Sequence, residues 1–104
     1  MVQLEDLDSN DMHEKAAEAA DLLRLLSNEH RLLTLCLLLE HGEMSVMALL
    51  EHMPISQSAL SQHLSKLRAA ELVTFRRDAQ VLYYSIQNEA VSQLIATLKN
   101  IYCP

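Results

Sequence analysis

Few positions in this chain force the backbone to turn. There is a single glycine, Gly42, and only two prolines, Pro54 and Pro104, so the sequence reads as mostly helix joined by short turns. It has no long hydrophobic run. The longest near-apolar stretch, residues 32–39, is eight residues and includes Thr34, far below the ~20 needed to span a bilayer. A basic-then-apolar leader is missing too: the first residues include Glu5, Asp6, Asp8 and Asp11. No export signal is visible, and a cytoplasmic location with no membrane partner is expected. Cysteine is scarce, with Cys36 and Cys103 and no Cys-x-x-Cys pair. In a cytoplasmic chain these two are not expected to form a permanent cross-link.

What is present bounds the answer further. Half of the 104 residues are hydrophobic, too many for a disordered chain and enough for one modest domain. The net charge of −6 looks wrong for a nucleic-acid binder until it is placed along the chain. Residues 1–21 hold seven acids against Lys15 alone, whereas residues 22–104 balance seven acids with seven bases. Within residues 57–80, Lys66, Arg68, Arg76 and Arg77 outnumber Glu71 and Asp78. Salt screens each charge beyond about 8–10 Å, so a local basic surface can meet phosphates while the whole stays acidic.

The periodicities set an order of elements. Met12, Ala16, Ala19, Ala20, Leu23 and Leu26 form one helical stripe over residues 12–26, with Asn10 or Asp11 as its cap and residues 1–11 as a mobile acidic tail. A second helix follows Ser27 and runs to His41, where Gly42 suits a C-terminal cap. Being apolar nearly all round, it is expected to be the buried central helix. Ser45 should cap a short third helix carrying Val46, Leu49, Leu50 and Met53, which Pro54 ends. Ser56 should cap a fourth reaching Ala70. Two helices joined this tightly suggest a helix-turn-helix. Residues 72–77 and 81–86 are rich in β-branched and aromatic side chains and flank Asp78-Ala79-Gln80, the pattern of a hairpin. Asn88 caps a last helix with Val91, Leu94, Ile95, Leu98 and Ile101 on one stripe. The expected fold is mainly helical with a β-hairpin wing: four helices, hairpin, helix.

The fourth helix carries the functional signal. Leu60, Leu64 and Leu67 should face inward, leaving Gln57, Ser58, Ser61, Gln62, Ser65 and Lys66 on the opposite face, with Arg68 near its end. An ordinary solvated face usually carries Glu–Lys pairs, and this one does not. Small hydroxyl and amide side chains let a helix approach base edges, and Gln pairs bidentately with adenine in the major groove. Ser56 and its neighbours at the helix start suit phosphate. His63, beside inward Leu64, reads as a packing or phosphate-contacting residue. Arg76 and Arg77 near the hairpin tip suit a wing lying along the phosphate backbone.

Taken together, Ser56-Gln57-Ser58-Ala59-Leu60-Ser61-Gln62-His63-Leu64-Ser65-Lys66-Leu67-Arg68 followed by Glu71-Leu72-Val73 resembles the recognition helix of the ArsR/SmtB family of winged-helix repressors. Leu26-Ser27-Asn28-Glu29-His30-Arg31-Leu32 resembles the opening of that family's second helix. The resemblance covers about residues 14–103 and implies a homodimer built from the first and last helices, bound to double-stranded operator DNA. It places the family's paired third-helix thiolates at Ser45 and Met47, neither a suitable substitute, and the last helix has no His. Metal sensing at either family site is not expected. His13, His30, His41, His52 and His63 show no ligand spacing, and no cofactor is expected.

Cys36 and Cys103, with Arg77-Asp78-Ala79-Gln80 and Tyr83-Tyr84, resemble the thiol-sensing branch of BigR, SqrR and HlyU proteins. Where other members have Gly-Arg at the wing tip this chain has Ala79-Gln80, so Gln80 joins Arg76 and Arg77 there with one charge fewer. The residues alone leave Cys36 equally readable as a small buried hydrophobe. The resemblance implies that reactive sulfur species or oxidants join the two thiols and release DNA. Alternatives are an anti-silencer that displaces another DNA-coating protein, a haem- or metal-responsive repressor, and, from other classes, a thiol oxidoreductase or a protein-interaction module. An enzyme is not expected, because the Cys-x-x-Cys arrangement common in thiol oxidoreductases is missing.

Overall fold

Helices start where a short polar side chain can occupy the first unpaired N–H groups, and among the described residues the second to fifth helices do so. In the computed structural model, which describes residues 9–103, the order is α1 (Ser9–Leu26), α2 (Glu29–His41), β1 (Met44–Ser45), α3 (Val46–Leu50), α4 (Gln57–Ala69), β2 (Val73–Asp78), β3 (Val81–Ile86) and α5 (Glu89–Tyr102). Asn28 caps α2 by accepting from the N–H groups of His30 and Arg31, and Ser45, Ser56 and Asn88 cap α3, α4 and α5. Gly42, at φ 84°, ends α2 by donating to the Leu38 carbonyl at 2.8 Å.

The fourth helix ends in a Schellman motif without a glycine. Leu72 N–H reaches the Leu67 carbonyl and Glu71 N–H the Arg68 carbonyl, both at 2.9 Å. Glu71 takes the left-handed conformation this needs, at φ 62°. Buried Leu72 then turns the chain into β2.

Three expectations are corrected. The first helix covers Ser9–Leu26, so Asn10 and Asp11 lie inside its first turn instead of capping it. Residues 1–8, which hold the rest of the expected acidic tail, lie outside the described residues. The third helix ends at Leu50, four residues before Pro54, although Met53 is still buried. The hairpin is not alone: β1 pairs antiparallel with β3 through Met44↔Tyr84 and Ser45↔Tyr83, giving a three-stranded sheet in the order β1-β3-β2. The β2–β3 register puts Phe75 opposite Tyr84, their rings 5.4 Å apart and tilted.

Leu35 and Leu38 of α2, Leu49 of α3, Leu60, Leu64 and Leu67 of α4, Val73 of β2, and Val91 and Ile95 of α5 are fully buried in one core. Each such side chain contributes roughly 1.5–3 kcal/mol of transfer free energy. Thr34, the one buried polar residue among those described, donates its hydroxyl to the His30 carbonyl at 2.7 Å. As expected, α2 is the central helix, packed against α1, α4, α5 and the sheet. Most of α1 projects from this core, with residues 10–19 exposed.

Candidate nucleic-acid interface and thiol site

With Leu60, Leu64 and Leu67 anchoring one side of α4, Gln57, Ser58, Ser61, Gln62, Ser65 and Lys66 stand exposed on the other. Ser56 is also exposed, its hydroxyl accepting from Ala59 N–H at 3.0 Å. The hairpin runs alongside, and a trough of shallow hollows lined largely by serine and glutamine follows the exposed face of α4. One hollow of about 490 Å³ is lined by Gln57 and Ser61 from α4, by Ser45 and Met47, and by Gln80 through Tyr84 of the wing. Ser61 also lines a second hollow of about 410 Å³ with Ser58, Gln62, Ser65 and Lys66. A third, of about 240 Å³, holds Ser65, Arg68 and Ala69 against Tyr84. Ser61 borders the first and second hollows and Ser65 the second and third, and among the described residues no carboxylate lines them.

The cations of this surface divide into two sets. Arg76 is held by Glu43, the residue before β1: its Nη2 lies 2.6 Å from Glu43 Oε1 and its Nε 3.0 Å from Oε2, while the guanidinium rests 4.6 Å over the Tyr83 ring. This contact holds the Glu43 carboxyl below the usual carboxylate range and raises Arg76 further above its ordinary value. Arg68 lies 4.1 Å over Phe75. Among the described residues, Lys66 and Arg77 have neither an ion pair nor an aromatic face. Both are exposed, as is Gln80 at the wing tip.

His63 is placed differently from its neighbours. Half-buried, it accepts at Nδ1 from Arg31 Nε at 3.1 Å, with the His30 ring 6.2 Å away. Burial lowers its pKa, and the positive charge of Arg31 adds to the effect, followed by His30 and Lys66. An acceptor at Nδ1 puts the neutral ring's proton on Nε2. The same Arg31 donates through Nη1 to the Leu25 carbonyl at 2.9 Å. Sequence reading missed Arg31 and Glu43 as site-building residues because their partners lie 32 and 33 positions away.

Far from adjacent in sequence, Cys36 and Cys103 line one apolar hollow of about 180 Å³, with Leu32, Leu98, Lys99 and Tyr102. Both are free thiols; Cys36 is half-buried and Cys103 exposed. Cys103 caps α5, its N–H reaching the Lys99 carbonyl at 2.7 Å. Burial pushes the Cys36 thiol above its ordinary pKa, and the negative charges of Cys103 and Glu40 add to this while Lys99 opposes them. Among the described residues, no three His, Cys, Asp or Glu side chains gather as a metal site would need. None of the helices described is long and apolar enough to cross a membrane.

Residues 28–74, from the α2 cap into β2, match the family model described as "Bacterial regulatory protein, arsR family". The chain is 46% identical to the HTH-type transcriptional regulator YgaV of Escherichia coli K12 over 86% of its own length and 90% of that protein's. It is 40% identical to the transcriptional activator HlyU of Vibrio cholerae over 89% and 85% of the two lengths. The structure of reduced HlyU from that species superposes with a TM-score of 0.84, at 42% identity, over 89% of this chain and 97% of the other. The transcriptional repressor BigR from Xylella fastidiosa gives 0.82 at 38% identity, over 92% and 94%. The chain is thus a DNA-binding transcriptional regulator, not an enzyme, and it belongs to the ArsR family of winged-helix regulators, in the branch that includes HlyU and BigR.

Proposed function

We propose that this regulator represses transcription as a homodimer in the cytoplasm, holding double-stranded operator DNA while Cys36 and Cys103 are free and releasing it when reactive sulfur species or oxidants join them. The observation that carries the sensing half is the shared hollow: two thiols 67 positions apart line the same apolar recess between α2 and α5. The DNA half rests on the trough. Gln57, Ser58, Ser61, Gln62 and Ser65 read base edges and nearby phosphates, Lys66, Arg77 and Gln80 meet the backbone, and Arg68 and Arg76 brace the wing from their aromatic seats. His63 positions α4 through Arg31.

Exposed apolar side chains support the dimer. Met12 and Leu23 of α1 are 47% and 56% exposed, and Ile101 and Tyr102 of α5 are 62% and 78% exposed. A self-complementary interface built on these two helices covers them and sets the recognition helices about 34 Å apart, one DNA turn.

In the sensing chemistry, the thiolate of exposed Cys103 takes the outer sulfur of a low-molecular-weight persulfide and expels the donor's thiolate. Cys36 thiolate then attacks the Cys103 sulfur, forming the disulfide and expelling hydrosulfide. A donor with a longer sulfur chain leaves extra sulfur in the bridge. Closing this loop is worth roughly 4 kcal/mol in the chain-entropy model, ample against the typical allosteric coupling of about 1–3 kcal/mol.

Fluorescence anisotropy with operator DNA tests both halves. Wild-type protein should bind under reducing conditions and lose affinity at least ~10-fold after persulfide treatment, the size of one coupling step of about 1.4 kcal/mol, with a Cys36–Cys103 species in the mass spectrum. Undiminished release by Cys36→Ser or Cys103→Ser protein would falsify the sensing reading. A second reading, activation by displacing another DNA-coating protein, is favoured by the name of the HlyU relative, a transcriptional activator.

A further inference from the structure

Two charged residues flank the thiol pair in a way the bridge chemistry above does not use. Glu40 stands four residues after Cys36 on α2, and Lys99 of α5 four residues before the cap Cys103, whose N–H reaches the Lys99 carbonyl. Residues four apart share a helix face, one turn of about 5.4 Å along. Cys36 and Cys103 line the same recess between α2 and the end of α5, and one turn along α2 Glu40 pairs with Lys99, its Nζ 3.9 Å from Glu40 Oε2. Lys99 is only 32% exposed in its side chain and also lines the hollow. The groups facing Cys36 are thus Glu40 from its own helix and Lys99, Tyr102 and Cys103 from α5.

We propose that Lys99 is a positioning residue that generates the Cys36 thiolate for bridge closure, and that Glu40 anchors and moderates it. This rests on the two-thiol reading above and names its control. Burial works against ionising Cys36, and the bridge-closing step needs its thiolate. Among the described residues, the partly buried Lys99 ammonium is the one positive charge facing Cys36. When Cys36 loses its proton to solvent, Lys99 can turn from Glu40 toward the sulfur. The thiolate then attacks the Cys103 sulfur of the persulfide, its S–SH bond breaks, and hydrosulfide leaves. Both thiols are oxidised and the outer sulfur is reduced. Glu40 keeps the ammonium between the helices, and its charge keeps resting reactivity low.

The test follows Cys36 alkylation by iodoacetamide against pH, by peptide-resolved mass spectrometry, in the full chain and in Cys103→Ser protein. No sulfur donor is needed. Lys99→Gln should move the midpoint of the rate profile up by about half to one pH unit, making alkylation at pH 7.5 about three- to ten-fold slower with the high-pH plateau unchanged. Glu40→Gln should move the midpoint down, Lys99→Arg should restore it, and 1 M KCl should shrink both displacements. A Lys99→Gln midpoint equal to wild type, or a change in the plateau alone, overturns the proposal. Failure of the two-thiol reading shows separately, as no Cys36–Cys103 species after persulfide treatment of the wild type.

Discussion

His63 shows how one side chain's surroundings set a pH response. Burial first, then Arg31, holds its pKa below the ordinary 6.5. A histidine depressed in the folded state contributes stability that is complete above pH 6.5 and is lost as pH falls toward the folded value, because the unfolded chain takes up the proton first. Urea unfolding should therefore show stability declining between pH 7.5 and 5.5. His63→Asn, which keeps an acceptor near Nδ1 but does not titrate, should flatten that decline. Equal declines in the two proteins would assign the pH effect elsewhere. Glu43 works in the opposite sense for DNA: its carboxylate occupies Arg76 beside the trough. Glu43→Gln should tighten DNA binding at low salt and steepen the log K against log salt slope by about 0.9, one more phosphate engaged. An unchanged slope in anisotropy titrations would leave Arg76 a purely structural brace.

At the scale of elements, what was legible depended on the distance over which the deciding interaction acts. Caps at Ser45, Ser56 and Asn88 act within three residues, so those helix starts could be read directly, as could Gly42 at the end of α2, whereas the start of α2 was set after Ser27 without its Asn28 cap. The inward leucines and polar outer face of α4 follow from spacing alone. Strand β1 did not, since two residues have no periodicity and Met44–Ser45 are extended only because Tyr83 and Tyr84 pair with them. The Arg76–Glu43 and Arg31–His63 contacts, and the recess shared by the cysteines, depend on how elements pack, which spacing does not encode. Glu71 was equally hidden, since a glutamate gives no local sign of a left-handed turn. Holding a non-glycine residue there costs about 1–2 kcal/mol, partly offset by the roughly 0.4–1 kcal/mol that glycine would add to unfolded-chain entropy. Glu71→Gly should therefore stabilise by about 0–1.6 kcal/mol, raising Tm by about 4–8 °C for each kcal/mol gained, measurable by calorimetry. A lowered Tm would show that the side chain holds the turn.

For the whole molecule, the core accounts for α2, α4 and the sheet, but it leaves α1 projecting and the last turn of α5 uncovered. The double variant Leu23→Glu, Ile101→Glu places charges on both exposed apolar faces while sparing the core. It should sediment as a monomer and bind operator DNA at least ~10-fold more weakly, since one reading head has lost its partner and each ~1.4 kcal/mol is tenfold. An intact dimer would place the interface on another surface.

Arg31 joins the two ends of this arrangement. One flat cation, rooted in α2, grips the last turn of α1 through the Leu25 carbonyl and α4 through the His63 ring. The projecting helix α1 and the polar-faced helix α4 therefore share a common bearing. Under the proposed dimer, a twist of α1 would bear on α4 through this guanidinium, whose planar fork fixes the directions of both contacts.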